Sequence, residues 1–249
     1  MTVHPFATSR TAALKTSCET CSLSNLCLPL AVAEKDLAQL ENIVQQGRSY
    51  QRGESIFRQN EPAKSFFAVR SGAVKTSVVT ANGDEQITGF YLPGEMIGLD
   101  SMGGHGYACT AKALEYSSVC ELPINQLEDL SRKLPSLQHH FLKLMSQEIQ
   151  NGQHLSLLLS KNSAEERIAA LLLSLSTRFS RRKLSSTRFH LPMPRADIAN
   201  FLGLAVETVS RVMTRFQQTG LIQSKGRELE LLNPDSLQHV AHAREGTSR

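Results

Sequence analysis

The sequence predicts an α+β protein made of an N-terminal β roll, one long helix and a C-terminal helical unit that ends in a β-hairpin. Short β-type runs separated by turn glycines occupy residues 51–123, and an apolar pattern of helical spacing follows over residues 135–161. Two short helical patterns then meet at Gly203. We expect four regions: a cysteine-bearing segment at 1–30, the roll at 31–134, the long helix at 135–161 and the C-terminal unit at 162–249.

Three cysteines stand close together near the start of the chain, in the stretch SCETCSLSNLC. Cys18, Cys21 and Cys27 are near enough in sequence to bind a soft metal or to form disulfides. Nothing in the first residues resembles the apolar core of a secretion signal, and no long uncharged apolar stretch follows. We therefore expect a cytoplasmic chain that does not enter a membrane. Because thiols stay reduced there and five cysteines leave one unpaired, the disulfide reading is the weaker one.

The segment after the cysteines reads as helix and then as strands. VAEKDLAQLENIVQQGRSY, at 32–50, has the pattern of a short amphipathic helix. Within the strand region, Asn82-Gly83 predicts a β-hairpin with a type I′ turn, in which both central residues need a positive φ. The regular turn glycines favour a small antiparallel roll or barrel.

Two apolar rows run along the predicted long helix. The first row contains Leu137, Phe141, Leu144, Leu155 and Leu158. The second contains Leu142, Met145, Ile149 and Leu159, and Gly152 occupies the next seam position after Ile149. One row can cover the roll while the other meets a second copy of the helix, so we expect a homodimer. A helix buried within one subunit is the alternative.

A helix-turn-helix is the most specific pattern in the C-terminal unit. Ser163 and Glu166 form a capping box at the start of the first helix of this unit. The stretch RADIANFLGLAVETVSRVMTRFQQTGLI follows, with apolar spacing typical of two helices packed across a tight turn at Gly203. The second helix, at about 206–219, places Glu207, Ser210 and Arg211 on one exposed edge.

This edge predicts binding to double-stranded DNA. Arginine can bind a guanine edge with two hydrogen bonds, and glutamate can accept a hydrogen bond from a cytosine amino group. A solvated Glu207–Arg211 pair is the simpler alternative. A hairpin at Lys225-Gly226 would form a wing beside the helix. Residues 161–249 carry a net charge of +6 and residues 1–160 a net charge of −2, which favours a polyanionic partner for the C-terminal unit.

The order of these regions resembles the Crp/Fnr family of bacterial transcription regulators over nearly the whole chain. That family has a roll like that of cyclic-nucleotide-binding proteins, a long dimerisation helix and a winged helix-turn-helix. Within it, the C-x2-C-x5-C pattern, a remote Cys120 in SSVCELP, and the stretches VRSGAVKT, GDEQITGF, LLLSKNSAEERIA and GLAVETVSR resemble the oxygen sensors of the fumarate-and-nitrate-reduction (FNR/ANR) type.

The resemblance implies one [4Fe–4S] cluster per subunit, bound by Cys18, Cys21, Cys27 and Cys120. It implies an oxygen-responsive global regulator that activates or represses genes of anaerobic metabolism. The intact cluster would promote dimerisation and DNA binding, and oxygen would convert it toward [2Fe–2S]. Structural zinc, in a repressor stapled by that metal, remains the alternative at these thiols. Cys109 matches no ligand position. No catalytic or nucleotide-phosphate motif accompanies the cysteines, so we expect no enzyme activity.

The resemblance also assigns roles outside the cysteines. Cyclic-nucleotide-binding relatives have an Arg-Ser pair where this chain has Tyr107-Ala108, so no cyclic nucleotide is expected, and a cyclic-nucleotide-dependent regulator is the alternative function. Val206, Glu207, Ser210 and Arg211 are expected to read a TTGAT-N4-ATCAA site. The loop at Gly83 and Asp84 resembles the one that contacts RNA polymerase. Relatives often have an aspartate at the position of Gly152, where its charge opposes dimerisation without the cluster.

Overall fold

The computed structural model describes residues 18–104 and 106–242, and its first half contains two four-stranded antiparallel sheets. The first sheet contains, in spatial order, β1 (Gln45–Tyr50), β8 (Ser117–Pro123), β3 (Ser65–Ser71) and β6 (Met96–Ile97). The second contains β2 (Ser55–Phe57), β7 (Thr110–Ala113), β4 (Val74–Val79) and β5 (Glu85–Tyr91). Buried side chains from both sheets, including Phe67 and Val74, form one core between them. The predicted β roll is confirmed.

Two local predictions within the roll were right only in part. The helix expected over 32–50 is only α1 (Leu37–Ile43), because the residues that follow form β1 and pair with β8. The β4–β5 hairpin exists, but among the described residues Asn82 does not have a positive φ, whereas Gly83 has one of +87°. The amide of Gly83 donates to the carbonyl oxygen of Thr80 at 2.9 Å, so a turn over 80–83 ending in a left-handed glycine replaces the type I′ turn.

A helical layer covers the outer face of the first sheet. It consists of α1, the unpredicted α2 (Ile124–Lys133) and the N-terminal part of α3 (Pro135–Lys161). Phe66 from β3 and Phe141 from α3 meet there, with ring centroids 5.5 Å apart. Leu137, Phe141 and Leu158 of the first apolar row are buried, and Leu144 and Leu155 pack half-buried against the cores. The first row therefore attaches α3 to its own chain.

The C-terminal unit is the expected winged helix-turn-helix. It contains α4 (Ala164–Arg181), β9 (Arg188–His190), α5 (Arg195–Leu202), α6 (Val206–Gln218), β10 (Ile222–Lys225), β11 (Glu228–Leu231) and α7 (Pro234–Ala241). The Ser163 capping box forms, since the Ser163 amide donates to Glu166 Oε2 at 2.5 Å and the Glu166 amide donates to Ser163 Oγ at 3.3 Å. Gly203 has a φ of +61° at the turn. The wing gains a third strand, β9, in a stretch that the sequence presents only as a basic linker.

A partly buried ion cluster attaches α4 to the roll. Glu95, in the turn between β5 and β6, pairs with Arg178 and with Arg182, the latter at 2.7 Å. The two guanidinium groups also donate to the carbonyl oxygens of Phe90 at 2.6 Å and Pro93 at 2.7 Å. Burial opposes ionisation of Glu95, but the two arginines outweigh it and lower the pKa of this carboxyl group. The cluster therefore holds α4 to the roll with charges that are partly shielded from water.

No helix in the described part of the chain is long and apolar enough to cross a membrane.

Replacing Glu95 with glutamine should destabilise the folded chain by about 2 kcal/mol, because two partly buried arginines would lose their counter-charge. This is less than for a fully buried pair, since the Glu95 side chain keeps 29% of its exposure. Because the folded pKa is lowered, the stability that Glu95 confers is present above its unfolded pKa and is lost as pH falls through the folded pKa. Urea unfolding of Glu95→Gln should therefore show a weaker loss of stability in acid than the parent chain.

Asp129→Asn is the matched control, because Asp129 and Arg132 form an exposed pair on α2. Exposed pairs contribute little to stability. Equal effects of the two substitutions would contradict the role given to Glu95.

Candidate functional site

Residues 1–17 of the predicted cysteine-bearing region lie outside the described residues, and the described part, 18–30, folds as a series of tight turns. The Cys21 amide donates to the Cys18 carbonyl oxygen at 3.3 Å, and the Cys27 amide donates to the Leu23 carbonyl oxygen at 3.0 Å. The Glu19 amide donates to Glu41 Oε1 at 3.0 Å, which attaches the segment to α1. A 3₁₀ turn at Leu28–Ala31 then carries the chain against α3, with Leu28 buried.

Four thiols from two distant parts of the chain line one pocket. Cys18, Cys21 and Cys27 approach from the N-terminal segment, and Cys120 approaches from β8, where it pairs with Ala68 of β3. The remaining wall is mostly apolar, with Arg70 as a cationic member. All four cysteines are free thiols. The fold thus brings together the four cysteines that the resemblance selects as ligands.

The environment of the pocket disfavours free thiolates. Burial raises the pKa of Cys18 to about 11 and that of Cys27 to about 12, and the other thiols of the pocket add to both shifts. Burial also raises the pKa of Cys120, partly offset by the positive charge of Arg70. The thiolate is the form that binds metal. Several negative sulfurs in this pocket would therefore need a positive group among them.

The donor set of the pocket fits a thiophilic metal group. In residues 18–104 and 106–242, no three His, Cys, Asp or Glu side chains have the arrangement of a formed metal site. Thiolates suit iron–sulfur clusters, which take four such ligands, and they also suit zinc. Cys18, Cys21, Cys27 and Cys120 are the residues that would hold such a group.

Cys109 lies elsewhere and belongs to the core of the roll. It is buried beside Tyr107 in the cluster between the two sheets. Burial, followed by the charge of Asp100, raises the pKa of its thiol. A neutral buried thiol of this kind packs as a small apolar side chain.

The interior of the roll is filled by aromatic rings around Tyr107. This ring stacks on Phe57 with centroids 3.9 Å apart, and it is only 5% exposed. Its hydroxyl donates to the Ser65 carbonyl oxygen at 2.7 Å. An arginine at this position could have offered a charge to a phosphate, whereas Tyr107 offers an apolar ring whose only polar atom is already bonded. Ala108, next to it, is exposed.

The second helix of the helix-turn-helix, α6, presents the predicted reading edge to solvent. Val206 is 40% exposed, and Glu207, Ser210 and Arg211 are exposed. The i,i+4 ion pair between Glu207 and Arg211 is not among the ion pairs of the described residues, and Arg211 Nε instead approaches the Glu207 carbonyl oxygen at 3.4 Å. The opposite face of α6 is buried in the core of the unit through Val209, Val212, Met213 and Phe216.

The second apolar row of α3 divides into exposed and engaged positions. Leu142 and Ile149 are each 62% exposed, and an added Cβ on Gly152 would meet no atom within 4 Å. Met145 instead packs half-buried against the core beneath α3, and Leu159 lies beside the turn at Gly203. Leu157, which the sequence reading did not include, is 60% exposed.

The other predicted contact residues, Gly83 and Asp84, lie exposed at the tip of the β4–β5 hairpin. Sequence reasoning missed a set of side chains around this hairpin that join the roll to α5, among them Asn200. Most of them are ordinary polar residues and two are phenylalanines, so the sequence around each one does not reveal its contact with a distant partner.

Comparison with known proteins assigns a domain family to each half of the chain. Residues 47–133 match the model of the cyclic nucleotide-binding domain, and residues 166–240 match that of the Crp-like helix-turn-helix domain. The transcriptional activator protein FnrA of Stutzerimonas stutzeri is 52% identical over 87% of this chain and 88% of its own length. The fumarate and nitrate reduction regulatory protein of Escherichia coli K12 is 45% identical over 90% of each.

This chain belongs to the Crp/Fnr family of transcription regulators. The solved structure of FixK2 from Bradyrhizobium japonicum agrees, with a TM-score of 0.73 and 30% identity over 80% of this chain and 97% of that one. The regulator is therefore of the FNR/ANR type, it binds DNA through α5 and α6, and it is not an enzyme.

Two substitutions of Tyr107 test its structural role in the regulator. Tyr107→Phe keeps the ring stack and loses only the hydrogen bonds of the hydroxyl with the Ser65 backbone, so unfolding should require about 1 kcal/mol less. Tyr107→Ala removes the stack with Phe57 as well and should cost about 3 kcal/mol or more, because a cavity remains in the core. Urea unfolding of the three proteins measures both differences. Similar stability of the alanine variant and the parent would mean that the ring does not support the roll.

Proposed function

We propose that this regulator is an oxygen sensor that binds one [4Fe–4S] cluster per subunit through Cys18, Cys21, Cys27 and Cys120. The observation that carries the proposal is the single pocket lined by these four thiols, which come from two regions far apart in sequence. Two curated relatives, similar over about nine-tenths of this chain, are named for transcriptional activation and for fumarate and nitrate reduction. A cluster in this pocket would supply an oxygen-sensitive positive centre among buried sulfurs.

The regulator's own residues would link cluster binding in the pocket to DNA binding. The cysteine segment is followed directly by the 3₁₀ turn that contacts α3, and Leu142 and Ile149 lie on the outer side of the same helix. An ordered segment would hold α3 in one position, with this face ready for a second subunit. We infer that the homodimer binds TTGAT-N4-ATCAA-like sites without oxygen, in the cytoplasm, through Val206, Glu207, Ser210 and Arg211.

Gly83 and Asp84 are proposed to contact RNA polymerase from the tip of the exposed β4–β5 hairpin. Asp84 lies on the same hairpin as the strand that meets α5, so a polymerase held there would be near the DNA-binding unit.

A cyclic-nucleotide-dependent regulator is the second candidate, because the roll matches the cyclic nucleotide-binding domain model. The aromatic stack of Phe57 and Tyr107 argues against it, since the position of the phosphate-binding arginine carries a buried phenol ring. A zinc-stapled repressor is the third candidate, and metal analysis distinguishes it.

Anaerobic purification tests the cluster directly. The parent chain should be brown, with about four irons and four sulfides per chain. Exposure to air should bleach this colour and lower the affinity for a TTGAT-N4-ATCAA duplex. A colourless protein with one zinc that binds DNA equally in air would overturn the proposal, and a preference for TGTGA half-sites would overturn the predicted site.

Cys27→Ser should abolish the iron, the sulfide and the oxygen-dependent DNA binding together, because a ligand is lost from a set of four. Cys109→Ser is the matched control, since Cys109 is buried in the core of the roll and lies outside the pocket. It should retain iron, sulfide and the response to air. Loss of the cluster in both variants to the same extent would contradict the ligand assignment.

Gly152→Asp should weaken association of the cluster-free protein. The backbone at Gly152 has open space for a side chain, so the effect would come from charge repulsion between two copies of α3 rather than from a clash within one chain. Gly152→Ala is the control, because it raises helix propensity by up to ~1 kcal/mol without adding charge. Sedimentation of cluster-free protein should show more monomer for the aspartate variant than for the parent or the alanine variant. A cluster-free parent that is already fully monomeric at micromolar concentration would contradict this prediction.

A further inference from the structure

Helix α5 contacts the roll through Asn200, whose side-chain amide bonds to backbone groups of β5 as a neighbouring β-strand would. β5 is the outer strand of its four-stranded sheet, so one side of its backbone faces away from β4. Asn200 Oδ1 accepts from the Ile87 amide at 2.6 Å, and Asn200 Nδ2 donates to the Glu85 carbonyl oxygen at 2.7 Å. A neighbouring β-strand would satisfy the same two kinds of backbone group.

Three further contacts surround this bidentate bond. Gln86 Nε2 donates to the Asn200 carbonyl oxygen at 2.8 Å. Lys75 on β4 pairs with Asp197 on α5 at 3.0 Å, and their side chains are only 15% and 17% exposed. The rings of Phe90 and Phe201 lie 5.0 Å apart. We call this set of contacts the α5 latch. It comprises the side chains of Lys75, Gln86, Phe90, Asp197, Asn200 and Phe201, together with two backbone groups of β5, the carbonyl group of Glu85 and the amide of Ile87.

The α5 latch restrains the DNA-binding unit, which is joined to the rest of the chain by a single covalent connection. The DNA-binding unit begins after α3, where Asn162 and Ser163 join that helix to α4. Glu95 holds the far end of α4, whereas the α5 latch holds the helix immediately before the turn at Gly203. The direction of α6 relative to the roll and to α3 therefore depends on contacts at both places.

The latch residues are separate from those that face DNA. Asn200 and Asp197 lie on α5 and are engaged by the roll, while Glu207, Ser210 and Arg211 on α6 are exposed. A change at the latch can alter where the reading edge is held without altering the chemistry of that edge.

We propose that Asn200 and Asp197 are positioning residues that set the spacing of the DNA half-sites this regulator accepts. In a two-fold dimer, each latch fixes one recognition helix relative to the roll and α3, and the distance between the two helices must match the separation of the half-sites. The inference rests on the proposed dimer and two-fold site, and it adds the residues that determine spacer length.

The first experiment measures the affinity of the anaerobic full-length protein for duplexes with spacers of three, four, five and six base pairs between TTGAT half-sites. The parent should prefer the four-pair spacer. Asn200→Ala loses two hydrogen bonds at the latch, so its preference for that spacer over the others should fall by about 5- to 30-fold. Its preference for TTGAT over TGTGA half-sites should not change.

Glu207→Ala is the matched control, because Glu207 lies on the reading edge and outside the latch. It should change the half-site preference and leave the spacer preference intact. If Asn200→Ala lowers the affinity for every spacer by the same factor, or leaves the spacer preference unchanged, the latch does not set the spacing.

A charge reversal tests the second contact of the latch. Lys75→Asp and Asp197→Lys should each reduce the spacer preference, because each replaces an ion pair of poorly exposed side chains with two like charges that repel each other. The double variant restores an opposite pair and should recover most of the preference. Failure of the double variant to recover, in a protein with the parent's unfolding curve, would contradict the role of this pair.

Hydrogen exchange at the Ile87 amide reports on the latch without DNA. In the parent, Asn200 protects this amide, so Asn200→Ala should accelerate its exchange by about 5-fold or more, while an interior amide of β3 such as Phe67 stays unchanged. Equal Ile87 exchange in both proteins would mean that the latch does not form in solution.

The outcomes separate this inference from the proposed function. If the parent contains no iron and sulfide but prefers one spacer, the oxygen sensor is overturned. If Asn200→Ala then weakens that preference, the result supports the latch. If the parent does not bind TTGAT sites, the same spacer series is built from the half-site that the protein selects from random duplexes. A parent with a normal cluster and no spacer preference would overturn the latch alone.

Discussion

The packing of α3 is the constraint on which the rest of this regulator depends. Leu137 and Phe141 are buried against the first sheet, and Leu158 is buried against the DNA-binding unit, so the helix cannot rotate without exposing them. Because side chains follow a helix at fixed angular steps, the same packing forces Leu142 and Ile149 outward. The free face of α3 is therefore a consequence of how the buried face is held, and anything that shifts the buried face also shifts the free one.

The cysteine segment adds a second attachment next to this helix. Among residues 18–30, which are the part of the segment that the structure describes, only Leu28 is almost fully buried. Leu26 packs against the turn that contains Gly94, where an added Cβ would lie 2.9 Å from Leu26 Cβ. The next residue in that turn, Glu95, holds the arginines of α4. One short turn thus touches the segment that carries Cys27 and the helix that begins the DNA-binding unit, so the pocket, the roll and α4 share a continuous set of contacts.

The two halves of the regulator meet through both polar and apolar groups. Ile87, Phe90 and Leu92 of the roll belong to the same buried cluster as the core of the DNA-binding unit, which gives the contact its area. Hydrogen bonds and ion pairs require particular distances and angles, whereas apolar contacts do not. The relative orientation of the two halves is therefore set by the contacts of Asn200, Asp197 and the Glu95 ion cluster. A regulator that must hold two reading helices in register has a physical reason to combine the two kinds of contact.

The sequence by itself determined the features that depend on neighbours along the chain. The periodicity of α3, the Ser163 capping box and the turn at Gly203 are local patterns, and each was predictable for that reason. The spacing of Cys18, Cys21 and Cys27 was visible too, but Cys120 was selected only by resemblance. Tertiary structure alone decided that 45–50 form a strand and not the end of a helix, because their partners lie in β8. It also decided the contact of Asn200 with β5. Residues more than a hundred positions apart leave no periodic trace in the sequence, since their meeting depends on the whole fold.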